Sequence, residues 1–547
     1  MLTTFTAPAF AGTWYIEDGD ITISAGESGN NVTQNENTTK NDTDTIITNR
    51  EEGASSHTVT IDAKDKDDKV EVTLKDANID TSKQSKAAVS VTGSGDTTIE
   101  LDGDNELQGG DRHAGLEHNQ TVDSEGNVTS GKLTIQDDND NAGSLTATGG
   151  YFGAGIGGGS AKAGQVTITG GTITAISGDG AGIGGGQGNM GSNAGNADIE
   201  ISGGTIEATG GYTSAGIGGG YYGDATIKIT GDAVIKNATG GTFGAGIGGG
   251  GGGNGDVTIS GNAKIENAQG GYAGSGIGGG YGASGTVTIK DDSTVTATGG
   301  EAGAGIGGGV GGLADVTIEG NATVNAIGGV GSAGIGGGYD AENDEDDGNG
   351  NQISIKSNES GAPTVNATGG ESSIDKKTGE KIPGGAGIGS GAGDAKANIT
   401  LEGKVTIVAK AGEGNAAIGD MNGEQVFTGL DGSITRYDSE GNDTTLPTDP
   451  GYPVPADTSS SGGGSAGASV QESVFPGLVV TDKDGQRISY TSIRGNNVLS
   501  LRVGRFTASL HASLSTLRQL RAEGIDTITF QTILCSTTLS VDELLAM

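Results

Sequence analysis

The sequence predicts a mainly β chain, a right-handed parallel β-helix solenoid with a small C-terminal α+β domain, on three observations. One short phrase, AGIGGG or a close variant, recurs with its isoleucine at Ile156, Ile183, Ile217, Ile247, Ile277, Ile306, Ile335, Ile388 and Ile418. A period of about thirty residues marks a solenoid. Each repeat then holds three short alternations of apolar and polar residues separated by turn chemistry. Between Asp315 and Tyr339 these are Val316/Ile318, Val324/Ala326 and Ala333/Ile335, with glycine at every corner. The same order recurs as Val166/Ile168, Ile173/Ala175 and Ala181/Ile183. Three period-two strands per repeat describe one coil, whose inward residues stack in ladders on the next. Finally, 111 of 547 residues are glycine, only 32% are hydrophobic and the net charge is -39. Such a composition suggests disorder, but disordered sequence has no reason to keep its apolar residues in register. Right-handedness follows from the chirality of parallel crossovers. A leucine-rich horseshoe lacks its spaced leucines here, and collagen its glycine at every third position.

Taken in order, residues 1–11 resemble the end of a secretory signal, closing on Ala9-Phe10-Ala11 with Gly12 as the mature start. Residues 12–130 alternate irregularly, as in Ile21-Thr-Ile23 and Val70-Glu-Val72, and read as first coils plus a cap; Ala114-Gly115-Leu116 is a degenerate copy of the phrase. Residues 131–435 are the regular array, with an extra residue in Ile235-Lys-Asn-Ala238 and Ile265-Glu-Asn-Ala268 that predicts two bulges. Residues 436–469 form a linker, proline-rich and then Ser/Gly-rich. Residues 470–547 form a separate domain, in which a helix is predicted from Ser513 or Ser515 as N-cap to Gly524 as C-cap.

A strongly acidic chain is repelled by nucleic acid and anionic membranes, and no run is long and apolar enough for a transmembrane segment. A single cysteine, Cys535, permits no internal disulfide. GAGIGG satisfies the dinucleotide fingerprint G-x-G-x-x-G, but nine copies lying in strands lack the strand-turn-helix context that motif needs. The acidic loop at Asn343, Glu345 and Asp347 mimics the start of a calcium loop without its closing glutamate, a pattern that a solvated charge run explains better than bound calcium.

The third strand offers the candidate surface. If alanine and isoleucine point inward, Gly155, Gly182, Gly216, Gly246, Gly276, Gly305, Gly334 and Gly387 point outward and leave a strip of bare backbone. Aromatic residues flank it: Tyr151, Tyr212 and Tyr272 five before the isoleucine, Phe152 and Phe243 four before, Tyr221, Tyr281 and Tyr339 four after, with Tyr222 beside Tyr221. Rings bordering a groove suit stacking on sugar faces; the competing reading folds them over the glycines as packing.

The run ADVTIEGNATVNAIGG…AGIGGG, with ISGGTIEATGG and TITGGTITAISG, resembles the repeats of secreted or surface proteins of Gram-positive, often gut-dwelling bacteria. Those proteins are similar to the pectin-lyase-like β-helix superfamily and are described as carbohydrate-binding or adhesin-like. The resemblance spans residues 131–420 and implies a surface location and contact with glycan or extracellular matrix. It carries over no catalytic residue, because no matching motif is present. Polysaccharide lyases need an arginine or lysine base beside calcium-binding carboxylates, and the related hydrolases need clustered aspartates, yet from Tyr151 to Thr435 there is no arginine and no histidine. The expectation is a non-catalytic carbohydrate-binding rod, secreted or on the cell surface. The alternatives are a structural stalk or self-associating fibre, and a degenerate polysaccharide enzyme.

Overall fold

The computed structural model describes residues 10–452 and 478–546, apart from 140, 189–194, 343–349, 376–378, 394, 483–485, 489, 496, 504, 506 and 533–535. Two compact units emerge, one running to Ile434 with Thr448–Pro450 added, the other comprising Thr435–Pro447 and Gly451–Met547. Cys535 and the acidic loop holding Asn343, Glu345 and Asp347 lie outside the described residues.

The first unit is a right-handed β-solenoid. Its strands pair with their equivalents one coil away, in three parallel ladders. Along the ladder of the recurring phrase, Ile21, Val59, Val89, Leu116, Ile156, Ile183, Ile217, Ile247, Ile277, Ile306, Ile335, Ile388 and Ile418 lie in register. All of them are buried. The degenerate copy is therefore a true rung, with Leu116 in the isoleucine's place. At about 4.8 Å per rung the stack is on the order of 60 Å long.

The other two ladders complete the core. One carries Ile99, Ile135, Ile168, Ile201, Ile229, Ile259, Ile289, Ile318, Ile355 and Leu401. The other begins with Ile79 and Leu107 and continues through Ala147, Ala175, Ala208, Ala238, Ala268, Ala297, Ala326, Ala367 and Ala409. The alanine strand also turns a larger residue inward two positions earlier, from Leu145 and Ile173 to Val365 and Ile407, so all three sides feed one continuous core. Both predicted bulges are present. Register shifts on entering the pair, at Ile206/Glu207, and again on leaving it, at Ile265/Ala268. Between them Ile235 faces Ile265 and Ala238 faces Ala268, and Asn267 donates a 2.7 Å hydrogen bond to Asn237.

At the N-terminal end the chain departs from parallel pairing. Strand Asn30–Gln34 runs antiparallel to both Ile21–Ala25 and Asn37–Thr48. Strand Phe10–Tyr15 lies along Asn37–Thr48, so that Ala11 and Gly12 pair with Asp44 and Thr45. The Trp14 indole N–H donates to Asp42 (2.7 Å), whose other oxygen accepts from Gly12 N–H.

The second unit contains a sheet in which Val498–Arg502 pairs antiparallel with Thr491–Gly495 and parallel with Thr527–Gln531. Helix Leu514–Ala522 starts where predicted: the Ser513 hydroxyl accepts the Thr516 N–H at 3.1 Å, and Gly524 follows with φ +80°. A second short helix, Val541–Ala546, has no counterpart in the sequence reading.

Candidate functional site: an aromatic ridge on the solenoid

The recurring phrase builds a closed knuckle around a two-residue strand such as Ile247–Gly248. Across it the Ala245 N–H donates to the Gly249 carbonyl (2.9 Å), and the bond recurs from Ala154 to Gly158, Ala215 to Gly219 and Ala304 to Gly308. The isoleucine drops into the core. The glycine after it adopts a positive φ, +140° at Gly248 and +137° at Gly218, which only glycine reaches without strain.

A tight turn stands on each side. Before the strand, the Gly244 N–H closes onto Gly241 (3.0 Å); after it, the Gly253 N–H closes onto Gly250 (2.8 Å). The two turn columns are then zipped together between coils. Tyr281 N–H donates to Phe243 carbonyl (2.8 Å), Gly251 to Thr213 (2.8 Å), and Val310 to Ala273 (3.0 Å).

This architecture corrects one expectation. The glycines before the isoleucine do not face solvent: Gly155, Gly182, Gly216, Gly246, Gly276, Gly305, Gly334 and Gly387 are all buried. A Cβ at Gly246 would lie 2.8 Å from the Gln269 nitrogen and 2.7 Å from the Gly276 oxygen. A strand two residues long is too short to form a face, so the flanking backbone closes over it. These eight glycines therefore floor no groove.

The aromatic residues nevertheless lie on the surface, at the tips of these turns. Tyr151, Tyr212, Tyr272 and Tyr281 are 61, 59, 55 and 50% exposed. Phe152, Tyr221, Tyr222, Phe243 and Tyr339 are partly buried. Because all nine flank the same ladder, they share one edge of the solenoid. Tyr212, Phe243 and Tyr281 form a row of edge-to-face rings with centroids 5.4 and 5.5 Å apart. Tyr221 and Tyr222 pair at 4.1 Å, and Tyr151 and Phe152 at 4.6 Å, with the Arg112 guanidinium 5.8 Å from the Phe152 ring. No ring contact joins Tyr272 to this row among the described residues. Tyr339 stands apart in a shallow hollow of about 190 Å³ with Asp375, Glu380, Lys381, Ile382, Pro383 and Ala392. Burial and the charges of Asp340 and Asp375 push its phenol above the ordinary range.

Several polar features escaped sequence reasoning. In the degenerate rung Glu117 replaces the positive-φ glycine, pairing with Gly157. It is buried, accepts from Asn119 (3.0 Å) and Ala114 N–H (3.2 Å), and contacts His113 at 2.8 Å. Beside it, His118 hydrogen-bonds the Gln165 carbonyl at 2.7 Å, and burial lowers its pKa. Asp179 occupies a turn tip between the coils of Phe152 and Thr213. Burial raises its pKa, with the nearby Thr213 acting in the opposite sense, and its Oδ2 accepts from Gln187 (2.6 Å). A polar column also climbs the edge: Asn196 accepts from Asp224 N–H (3.0 Å), Asp224 from Asn254 N–H (2.7 Å), and Asn254 from Ser284 N–H (2.9 Å). A polar residue just before the first strand in four successive repeats, Asn196, Asp224, Asn254 and Ser284, is the sequence signal for that column; single deviations such as Glu117 leave none. Among the described residues no group of three metal-ligating side chains is assembled, and no helix is long and apolar enough to cross a membrane.

Comparison with known families agrees with this architecture. A model described as a beta helix repeat matches residues 141–160, 166–187, 199–221, 287–310 and 316–339. Neither a curated protein nor a solved structure matches the chain.

Proposed function

We propose that this β-solenoid is a non-catalytic rod, secreted or held at a cell surface, that binds carbohydrate of a glycan coat or extracellular matrix along its aromatic edge. The observation that carries the reading is the exposure of Tyr151, Tyr212, Tyr272 and Tyr281 at turn tips on one edge. Tyrosine presents a broad apolar ring and a hydroxyl at small entropic cost, the combination that suits a sugar's C–H face and its hydroxyls. Correcting the glycine strip changes the geometry of this reading without removing it. The ligand would lie across projecting rings rather than in a groove, and a convex edge favours a chain that touches several coils over a small molecule needing enclosure. A non-catalytic role is supported by the lack of arginine and histidine between Tyr151 and Thr435, where the ridge lies.

The test is a glycan array probed with the wild type and with Tyr212→Ala/Tyr272→Ala. Binding by the wild type that the double variant loses supports the proposal. Equal binding by both, or none by either, defeats it. Release of new reducing or unsaturated ends from any bound polysaccharide would defeat the non-catalytic part alone.

A further inference from the structure

We propose that the ridge has one principal recognition patch, centred on Tyr222, and that its ligand is an uncharged oligosaccharide. This rests on the carbohydrate reading above and narrows it to a place and a chemical class.

The first observation is conformational. In the turn after each phrase, the fifth residue beyond the isoleucine has a left-handed backbone: Gly252, Gly282 and Gly311 have φ of +82°, +71° and +72°. Tyr222 stands in the same column with φ +56°. Ala161 and Asp340 share the conformation, but one is minimal in size and the other is a short polar residue that tolerates it. For a large aromatic residue it is a costly outlier, of the kind that clusters at ligand clamps. Folding does not require tyrosine there, since glycine does the same work in the coils that follow.

The second observation is the set of neighbours. The Tyr222 ring lies over Gly252, where a Cβ would come within 2.5 Å of it, and pairs with Tyr221. The adjacent Gly251 sits against the Phe243 side chain, and Phe243 joins Tyr212 to Tyr281. Five rings therefore gather around Gly251-Gly252, across three successive coils.

The third observation is charge. The turn segments 210–223, 240–253 and 270–283, which supply these five rings, contain no charged residue, and the nearest in the chain is Asp224, in the polar column at the edge of the turns. The other turns on the same edge carry Lys162, Asp179, Glu301, Asp340 and Glu371, with Asp179 lying against Thr213 at the rim of the patch. In a chain of net charge -39, an aromatic patch whose five rings bring no cation with them offers no ion-pair partner to a uronate or a sulfate. Its complement is a neutral sugar face.

The experiment measures binding of the full chain to neutral gluco- and manno-oligosaccharides and to oligogalacturonate, for the wild type, Tyr222→Gly and Tyr222→Phe, with thermal midpoints alongside. Expected is wild-type binding to at least one neutral series and none to the acidic one. Tyr222→Gly should bind about tenfold more weakly, as for truncation of an aromatic hot spot, with a midpoint no lower than wild type because the backbone strain is relieved. Tyr222→Phe should retain binding, since the ring face is kept. If Tyr222→Gly binds like wild type while Tyr212→Ala/Tyr272→Ala does not, the Tyr222 assignment falls and the carbohydrate reading stands. Preference for oligogalacturonate overturns the ligand class. A wild type that binds no sugar overturns both readings.

Discussion

At the scale of single residues, the glycines are the most constrained positions, for reasons that differ between sites. Gly248 has φ +140°, and a Cβ there would sit 1.9 Å from the Gly278 carbonyl oxygen. Gly282 has φ +71° with nothing within 4 Å. We therefore expect Gly248→Ala to cost about 3–5 kcal/mol, at the severe end for point mutations, and Gly282→Ala only the left-handed penalty of about 1–2 kcal/mol. Denaturant unfolding of the two variants measures the contrast, and similar losses in both would refute the packing distinction. A second residue-scale prediction concerns pH. Burial lowers the folded-state pKa of His118, so below its unfolded value of about 6.5 the unfolded chain binds more protons than the folded one. This contribution is present above that pH and is lost as pH falls from there through the lower folded-state value. Asp179 works in the opposite sense at lower pH: its raised folded pKa stabilises the protonated form, an advantage that fades as pH rises above the ordinary aspartate range. Thermal midpoints between pH 7 and 5 should fall less in His118→Gln than in wild type, and parallel curves would rule the histidine out.

At the scale of elements, strand order, inward residues, both bulges and the Ser513 cap were legible because each leaves a side-chain pattern: alternation, an extra residue, or a hydroxyl before a helical run. The knuckle was not legible. Its strand is two residues long, and glycines on either side carry no side chain to reveal which way they point, so alternation was extended past the place where the chain turns. The aromatic positions were readable as a recurring offset, whereas the ring row depends on the hydrogen bonds that zip the turns together, which no spacing reports. The central isoleucine of a knuckle is the element's only large anchor. Ile247→Ala should cost about 2–4 kcal/mol, against about 1 kcal/mol for Ser513→Ala at the helix cap. A smaller loss at Ile247 than at Ser513 would mean that the knuckle is held by its backbone bonds alone.

At the scale of the whole solenoid, equivalent positions repeat from coil to coil, and stability is expected to add up by nearest neighbours. Deleting residues 248–277 removes one complete coil and rejoins Ile247 to Gly278, leaving all three ladders in register. The shortened chain should fold with native-like β circular dichroism and a reduced denaturant m-value, in keeping with the smaller surface buried. Deleting only 248–262 joins unlike strands and should expose the core to a hydrophobic dye. Equal tolerance of both deletions would contradict the ladder architecture.

The zipped turns have a mechanical consequence. Almost every backbone bond that joins one coil to the next runs along the axis, so tension between the ends of the solenoid loads these contacts one layer at a time rather than all at once. Under a pulling force the rod should yield as a ratchet, each peeled coil releasing roughly thirty residues, or about 100 Å of slack, before the next layer takes up the strain. A solenoid of this kind lengthens under tension instead of snapping.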